Sequence, residues 1–533
     1  MTEPIQPMPA APDLRSARRR PVRWWPAGLI LVLASLTIFY FRVIREDSQQ
    51  WRNIHSMETC VVAVGLLLIW VLLLSRLLWK VRLLAFGSVV GMIGLMVGMF
   101  RIHGVTGDLL PVLKFRWSRA AVPLAASSVD QPTAVSNAPV AVSTLTSSFP
   151  QFMGPLRNAT LPDGPRLARD WTTQPPRKLW RQAVGAAWSG FAIVGRRAIT
   201  LEQRGDEESV VCYELLTGRV LWTHSDKARY FTTIAGEGPR TTPSIVGDMV
   251  VTLGGTGILN CLDNATGKVI WSKDIISENQ SHQPEWGVAG SPLVLGGLVI
   301  VNPGGKHDRS LVAYRLSNGE FAWGGGEDNA SYSSPCTAFI GGLSQVLIFN
   351  QHAIFGHDAA TGKVLWQYPW DSKQPHVALP VALGNDRVLA SSGYGVGSEL
   401  LQITRDQTGV FSANRLWKTN RLKAKFNNLV TRDGYVYGLD DGILACLDLA
   451  TGEQKWKDGR YGHGQFILAC DVLLLAAENG EVVLLETLPT EQRELTKFQA
   501  LNGKTWNPPA MVGDLLLVRN DQEVACYRLP VAP

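Results

Sequence analysis

Two rhythms divide the chain. Residues 24–41 (WWPAGLILVLASLTIFYF), 59–75 (TCVVAVGLLLIWVLLLS) and 83–100 hold no charged side chain, and each run approaches the roughly 20 apolar residues that cross a bilayer core. Three such runs in succession, bounded by Arg and Lys, predict transmembrane helices over 24–44, 59–79 and 82–100 rather than core helices. Gly87, Gly91, Gly94 and Gly98 give the third a small-residue face, expected to pack against the other two spans. From 101 to 148 the chain turns to Ala, Val, Ser, Thr and Pro, the composition of a linker.

After Phe149 short apolar runs alternate with Gly-rich turns, as in SIVGDMVVTLGGTGILNCLD and LVTRDGYVYGLDDGILACLD. This predicts antiparallel strands of about five residues rather than helices. The segments also repeat: CYELLTGRVLW, CLDNATGKVIW, AYRLSNGEFAW, GHDAATGKVLW and CLDLATGEQKW. Taking Trp180, Trp222, Trp271, Trp323, Trp366, Trp417, Trp456 and Phe498 as equivalents, successive gaps are 42, 49, 52, 43, 51, 39 and 42 residues. Such a period points to propeller blades or a solenoid, and four strands per unit fit a blade. Asp263, Asp358 and Asp448 are expected to accept backbone N–H bonds across a Thr-Gly turn, and Gly267, Gly362 and Gly452 to supply its positive φ. Trp271, Trp366 and Trp456 are expected to lie against the next blade.

The A-x-D-x-x-T-G-x-x-x-W pattern, nearly verbatim at 261–271, 356–366 and 446–456, resembles the tryptophan-docking repeat of the pyrroloquinoline-quinone-type propellers. That superfamily holds quinoprotein alcohol dehydrogenases and also cofactor-free binders such as the assembly lipoprotein of the outer-membrane β-barrel machinery. The resemblance covers roughly residues 149–530 and implies an all-β, eight-bladed propeller over 149–533. The last unit, TWNPPAMVGDLLLVRNDQEVACYRL, has three strands, so the orphan strand at Trp180 is expected to complete it and close the ring.

Charge assigns the sides of the membrane. The net +6 resolves into 15 Lys+Arg against 6 Asp+Glu over 1–119, and 36 against 39 over the rest. The basic tail 1–23 (Arg15, Arg18, Arg19, Arg20, Arg23) and the loop with Arg76, Lys80 and Arg82 belong on the cytoplasmic side, which puts everything after the third span outside the cytoplasm. Two further spans and the lack of an A-x-A site argue against cleavage of the first. The slightly acidic propeller gives no reason to expect a nucleic-acid partner.

Seven cysteines form no C-x-x-C; Cys212, Cys261, Cys446 and Cys526 hold one position of four blades and are expected to be small buried hydrophobes. EQRGDEES (202–209) reads as a solvated hairpin tip. Propellers bind ligands at the channel mouth, so the segments opening each blade belong together. They offer Trp188, Arg240, Trp286, Tyr332, His376, Lys425, Asn427, His463, Trp506 and Asn507. From these the candidate pocket is Trp188, Arg240, Trp286, Tyr332, Lys425, His463, Trp506 and Asn507, aromatic and mildly cationic, suited to an anionic, planar or sugar-like ligand.

For quinoprotein activity the resemblance implies an adjacent cysteine pair and a calcium site with carboxylates. This chain has no Cys-Cys dipeptide, and Glu285 and Glu327 are the nearest carboxylates. The expected function is therefore a propeller scaffold anchored in the inner membrane, periplasmic, with protein partners and no cofactor, metal or catalytic residue. The alternative is a dehydrogenase using pyrroloquinoline quinone with calcium and passing electrons to membrane quinone.

Overall fold

A computed structural model describes residues 21–45, 48–117 and 148–532. The chain forms two compact units: one holds the helices, through Arg101 and with Lys114–Trp117; the other holds Ile102–Leu113 and the sheets.

In the first unit, α1 (Trp25–Phe39) continues as a π-helical turn over Tyr40–Ile44, α2 (Gln49–Ile69) as another over Trp70–Leu74, and α3 spans Trp79–Met99. All three stretches are long and apolar enough to cross a membrane. The second begins ten residues before the expected Thr59, because polar side chains there serve helix packing rather than a loop. Arg42 Nε donates to Ser56 Oγ at 3.1 Å, and Asn53 and Ser56 are buried. Arg82 reaches back to the carbonyl of Leu72, an open acceptor at the end of the second helix, and to that of Leu77 in the link that follows. The glycine face of α3 is not used as expected: a methyl group added at Gly87, Gly91, Gly94 or Gly98 would meet nothing within 4 Å among the described residues.

The expected linker does not begin at 101. Strands β1 (Phe100–Val105) and β2 (Pro111–Phe115) pair as a hairpin, whose alternation is hidden by its closeness to an apolar span. Within the tail and linker, 1–20 and 118–147 lie outside the described residues.

Among the described residues, eight of the ten sheets have four strands or more. Numbered in chain order, their innermost strands are Ala192–Val194, Ser244–Val246, Leu293–Leu295, Cys336–Ile340, Val381–Leu383, Val430–Arg432, Gln465–Ala469 and Ala510–Val512. In sheets 1 to 7 the four strands follow one another antiparallel; sheet 7 also gains Thr160–Leu161, parallel to its first strand. In sheet 8 the fourth strand is Arg177–Ala183, with Trp180 opposite Cys526. Sheet 8 also reaches sheet 1 through buried Arg519, which donates to Thr200 Oγ1 at 2.8 Å and to the Leu201 carbonyl at 2.9 Å. Middle strands are buried on both faces, as Met249–Leu253 shows, whereas the outer strand Val269–Asp274 buries only Trp271. Stacking of sheets on both sides explains why alternation fades toward the middle.

The repeated turn does two jobs. Asp263 Oδ1 accepts from Thr266 N at 2.8 Å and from Thr266 Oγ1 at 2.6 Å, which holds this exposed carboxyl below its ordinary range. Asp358 and Asp448 make the same backbone bonds. Gly267 has φ 73°, and a Cβ there would overlap the ring of Trp222 from the preceding sheet. Gly218, Gly319, Gly362 and Gly452 sit likewise under Trp180, Trp271, Trp323 and Trp417. Five indoles also donate to a carbonyl in the next sheet's turn: Trp180 to Leu215, Trp222 to Asn264, Trp271 to Leu316, Trp417 to Leu449 and Trp456 to Leu488.

Four positions depart from the repeat: Trp323 covers Gly362 but its Nε1 meets no acceptor among the described residues, Trp456 donates but lies over no turn glycine, and Trp366 and the outer strand of sheet 7 differ further. Trp366 donates to Gln345 Oε1 within its own sheet; sheet 5 has a longer outer hairpin, Gly397–Arg405 with Phe411–Thr419, whose turn keeps the bonds from Thr408 to Asp406 but does not set Gly409 under an indole. In sheet 7 the register sets Thr496, not Phe498, opposite the bulge position Leu484. Trp171, from the segment before sheet 1, covers that gap: its backbone N–H donates to Thr496 Oγ1 at 3.2 Å and its ring meets Phe498 edge-on at 5.5 Å.

Candidate functional site

In an antiparallel sheet the segment entering the first strand and the turn joining the second to the third lie at the same end. Both kinds of segment build the mouth. Trp188 and Trp506 meet at 4.9 Å between centroids, and Phe426 meets Trp506 at 5.0 Å and His463 at 5.4 Å. Lys425 Nζ lies 4.9 Å from the centre of Tyr394 and 5.4 Å from that of Phe426. Tyr394 meets Trp286 at 6.5 Å, and Trp286 stacks on Tyr332 at 5.2 Å. Arg240 and Trp188 both donate to the Ala235 carbonyl, at 2.9 and 2.7 Å. Seven of the eight candidate pocket residues therefore join one chain of contacts.

Asn507 is the exception. It is 2% exposed and donates to the carbonyls of Ala187 and Ser189, so it ties sheet 8 to sheet 1 instead of facing a ligand. His376 is also a packing residue: it stacks on Phe349 at 4.2 Å, with Nδ1 2.8 Å from the Asn350 carbonyl. Burial, only partly opposed by that carbonyl, pulls its pKa down to about 4. Asn427 is buried against Asn428. The expected solvated tip at 202–209 holds two buried carboxylates, both used as struts. Glu202 accepts from Gly185 N and Tyr213 OH, and Glu208 from Gly255 N and Thr256 Oγ1.

Lys425 and His463 are 3% and 1% exposed, because the turn of the β1–β2 hairpin covers them. Lys425 Nζ donates to the Gly107 carbonyl at 2.5 Å, and His463 Nε2 lies 3.1 Å from Asp108 Oδ1. Arg460 approaches Asp108 Oδ2 at 3.7 Å. Gly107 N donates to Glu478 Oε1 at 2.9 Å, an oxygen that also accepts from Trp506 Nε1, while Glu478 Oε2 accepts from His463 N. Lys504 Nζ donates to the Val105 carbonyl at 3.0 Å and lies over Trp506 and Trp188, 4.0 and 4.6 Å from their centroids. Burial lowers Lys425 to about 8 despite Asp108, Asp441 and Glu478 nearby. Burial alone would raise Asp108; the His463 hydrogen bond and the charges of Lys425 and Arg460 keep it below the ordinary carboxylate range.

Further along the first strands a second segment, residues 149–159, touches several sheets in turn. Phe149 pairs with Ile193, the Pro150 carbonyl accepts from Ile245 N, and the Ala159 carbonyl accepts from Leu468 N. Buried Arg157 donates to the carbonyls of Pro335, Pro292 and Ser291 at 2.7, 3.2 and 2.6 Å. These partners lie three to six residues after the mouth side chains of their own sheets. Tyr394, Glu478 and Lys504 are mouth residues that the entering segments did not flag. Tyr394 and Glu478 lie in second-to-third-strand turns, which the same topology could have located, and Lys504 stands one residue before the last entering segment.

Residues 177–458 match the family described as outer membrane protein assembly factor BamB. The chain belongs to this repeat family. The assembly factor BamB of Burkholderia pseudomallei (strain K96243) is 24% identical over 272 residues, covering 44% of this chain and 70% of that protein. Among solved structures, a europium-containing methanol dehydrogenase aligns with TM-score 0.54 at 11% identity, over 72% of this chain and 98% of that one. BamB from Moraxella catarrhalis aligns with TM-score 0.48 at 16% identity, over 66% and 98%. The dehydrogenase likeness shows the propeller-type fold and nothing of its chemistry. BamB-family membership accounts for the recurring Asp-x-x-Thr-Gly turns and docked indoles.

Proposed function

We propose that this BamB-family chain is an inner-membrane protein with a closed, eight-bladed propeller on the periplasmic side, serving as a protein-binding or assembly scaffold without bound quinone or metal. The Arg177–Ala183 strand in sheet 8 and the Arg519 bonds to sheet 1 support closure. The basic excess in residues 1–119 supports the orientation. The observation that carries the scaffold reading is the filled mouth: residues 105–108 lie on Lys504, Lys425 and His463, where a planar cofactor would stack.

The residues there do not suit a quinone with calcium. Both Glu478 oxygens accept N–H bonds, Glu285 and Glu327 are exposed, and the positive charge of Lys425, Lys504 and Arg240 opposes the calcium ion that such a quinone is bound with. Among the described residues no three His, Cys, Asp or Glu side chains converge as a metal set. The test is thermal melting of the full chain in detergent with pyrroloquinoline quinone and Ca²⁺. The expected midpoint is unchanged. A ligand at a hundred times its Kd adds about 2.7 kcal/mol of stability, so a rise of several degrees would overturn the reading.

A further inference from the structure

Residues 106–110 group with the sheets rather than the helices, and the polar groups along their leading edge meet side chains of the mouth. The Val105 carbonyl takes Lys504, the Gly107 N–H takes Glu478, the Gly107 carbonyl takes Lys425, and the Asp108 carboxylate takes His463 and Arg460. We propose that the propeller mouth is a receptor for an acidic peptide turn of the Gly-Asp type, that residues 106–110 are its resident occupant, and that a turn of the same chemistry on a partner protein exchanges with it. This deepens the scaffold reading and rests on it.

Three features make the site selective. A Cβ at Gly107 would overlap the His463 ring, so glycine alone fits the position before the carboxylate. The His463 backbone is itself held by Glu478, which accepts from its N–H while accepting from Gly107 N and Trp506 Nε1 through its other oxygen. The turn arrives with its own geometry, since Leu109 N donates to the Thr106 carbonyl and Leu110 N to Thr106 Oγ1, with Leu109 at φ 57°. The carboxylate thus projects from a preformed turn into a cationic pocket, which lowers the ordering cost of binding.

Exchange follows from how the turn is held. Its anchors are hydrogen bonds and charges, and among the described residues neither Leu109 nor Leu110 joins an apolar cluster of the sheets. Its hold depends instead on being part of the same chain, which raises its effective concentration at the mouth. A partner turn competes against that concentration, so the mouth of the intact protein is nearly closed to free peptide.

The experiment uses the full chain in detergent and a labelled cyclic peptide of residues 104–110 (GVTGDLL), with binding read by fluorescence anisotropy. Gly107→Val forces the resident turn out and is expected to tighten peptide binding by about tenfold or more relative to the natural chain. Asp108→Asn, which keeps the glycine, is expected to give a smaller gain of the same sign. A peptide carrying asparagine in place of its aspartate is expected to lose that affinity, as is Gly107→Val combined with Lys425→Met. No gain from either single variant, with melting curves showing both folded, overturns the proposal; so does equal binding of the asparagine peptide. Pyrroloquinoline quinone with Ca²⁺ is added to the same Gly107→Val protein. Quinone binding there overturns the scaffold reading, whereas binding of neither quinone nor peptide overturns the receptor alone.

Discussion

The rim and the mouth of the sheet unit are built on opposite plans. At the rim one device recurs: an indole from one sheet lies on a turn glycine of the next and donates to a carbonyl beside it, as Trp180, Trp222, Trp271 and Trp417 do. At the mouth almost nothing recurs, for the sheets contribute Trp188, Arg240, Trp286, Tyr332, Lys425, His463 and Trp506 in turn. Repetition marks what every sheet needs in order to stack, and its failure marks where one side chain has been given a task of its own. The contrast predicts that rim substitutions cost stability and spare the mouth's binding, and that mouth substitutions do the reverse.

The largest effect is expected from Trp271→Ala. The indole is 8% exposed, covers Gly319 and donates to Leu316 at 2.8 Å. Truncation of a buried tryptophan typically costs about 3–5 kcal/mol, which denaturant unfolding of the sheet unit by intrinsic fluorescence would register. A loss below about 1 kcal/mol would mean that stacking between sheets does not rest on the repeated indoles.

One histidine, His376, extends the comparison to pH: its Nδ1 faces the Asn350 carbonyl, and burial, only partly opposed by that carbonyl and the Asp328 charge, brings its pKa from 6.5 down to about 4. The unfolded chain therefore takes up a proton below pH 6.5 that the folded chain refuses until about pH 4. Stability is fully present above pH 6.5 and falls as the pH drops through that window, by about 3 kcal/mol at its lower end. In His376→Gln the melting temperature should fall less between pH 7 and pH 4.5 than in the natural chain. An identical fall in both would remove His376 from the acid response.

Next in size comes a pair of glycines. Gly267 and Gly434 both have positive φ, 73° and 83°, but a Cβ at Gly267 would overlap Trp222, whereas one at Gly434 meets nothing within 4 Å among the described residues. Gly434→Ala is expected to cost about 1 kcal/mol for the backbone alone, and Gly267→Ala about 2–3 kcal/mol because overpacking adds to it. Equal costs in denaturant unfolding would show that the glycine is kept for its dihedral and not for the indole above it.

The same contrast explains what can be read from the sequence. The rim is legible because Asp263, Thr266, Gly267 and Trp271 recur with fixed spacing, so each copy corroborates the others. Two of its lapses arise where tertiary contacts replace the motif: Trp171 covers Thr496 from a distant segment, and Gln345 captures Trp366. The start of α2 is obscured because Arg52, Asn53 and Ser56 break an apolar run although Asn53 and Ser56 are buried in helix packing. At the mouth, topology locates the segments entering each first strand, and seven of their eight chosen side chains converge. Arg157 and Lys504 escape such a reading, since both bind main-chain carbonyls, which leave no complementary pattern in sequence. Gly107 and Asp108 have the composition of a linker, yet a Thr-Gly-Asp turn between apolar alternations is a hairpin signal.

The smallest expected effect lies at the mouth itself. Trp286 is only half-buried, and its ring is held by Tyr332 at 5.2 Å and Tyr394 at 6.5 Å rather than by a neighbouring sheet's glycine. An aromatic pair adds about 0.5–1.5 kcal/mol beyond its buried area, so Trp286→Ala should destabilise by about 1 kcal/mol, well under the cost of Trp271→Ala. The Trp286 backbone N–H also donates to the Tyr332 hydroxyl at 3.1 Å, a bond that survives loss of the indole and keeps the segment in place. Unfolding of the two tryptophan variants under one set of conditions checks the ordering. If Trp286→Ala matched Trp271→Ala, the mouth would be part of the stacking framework, and its lack of repetition would need an explanation other than binding.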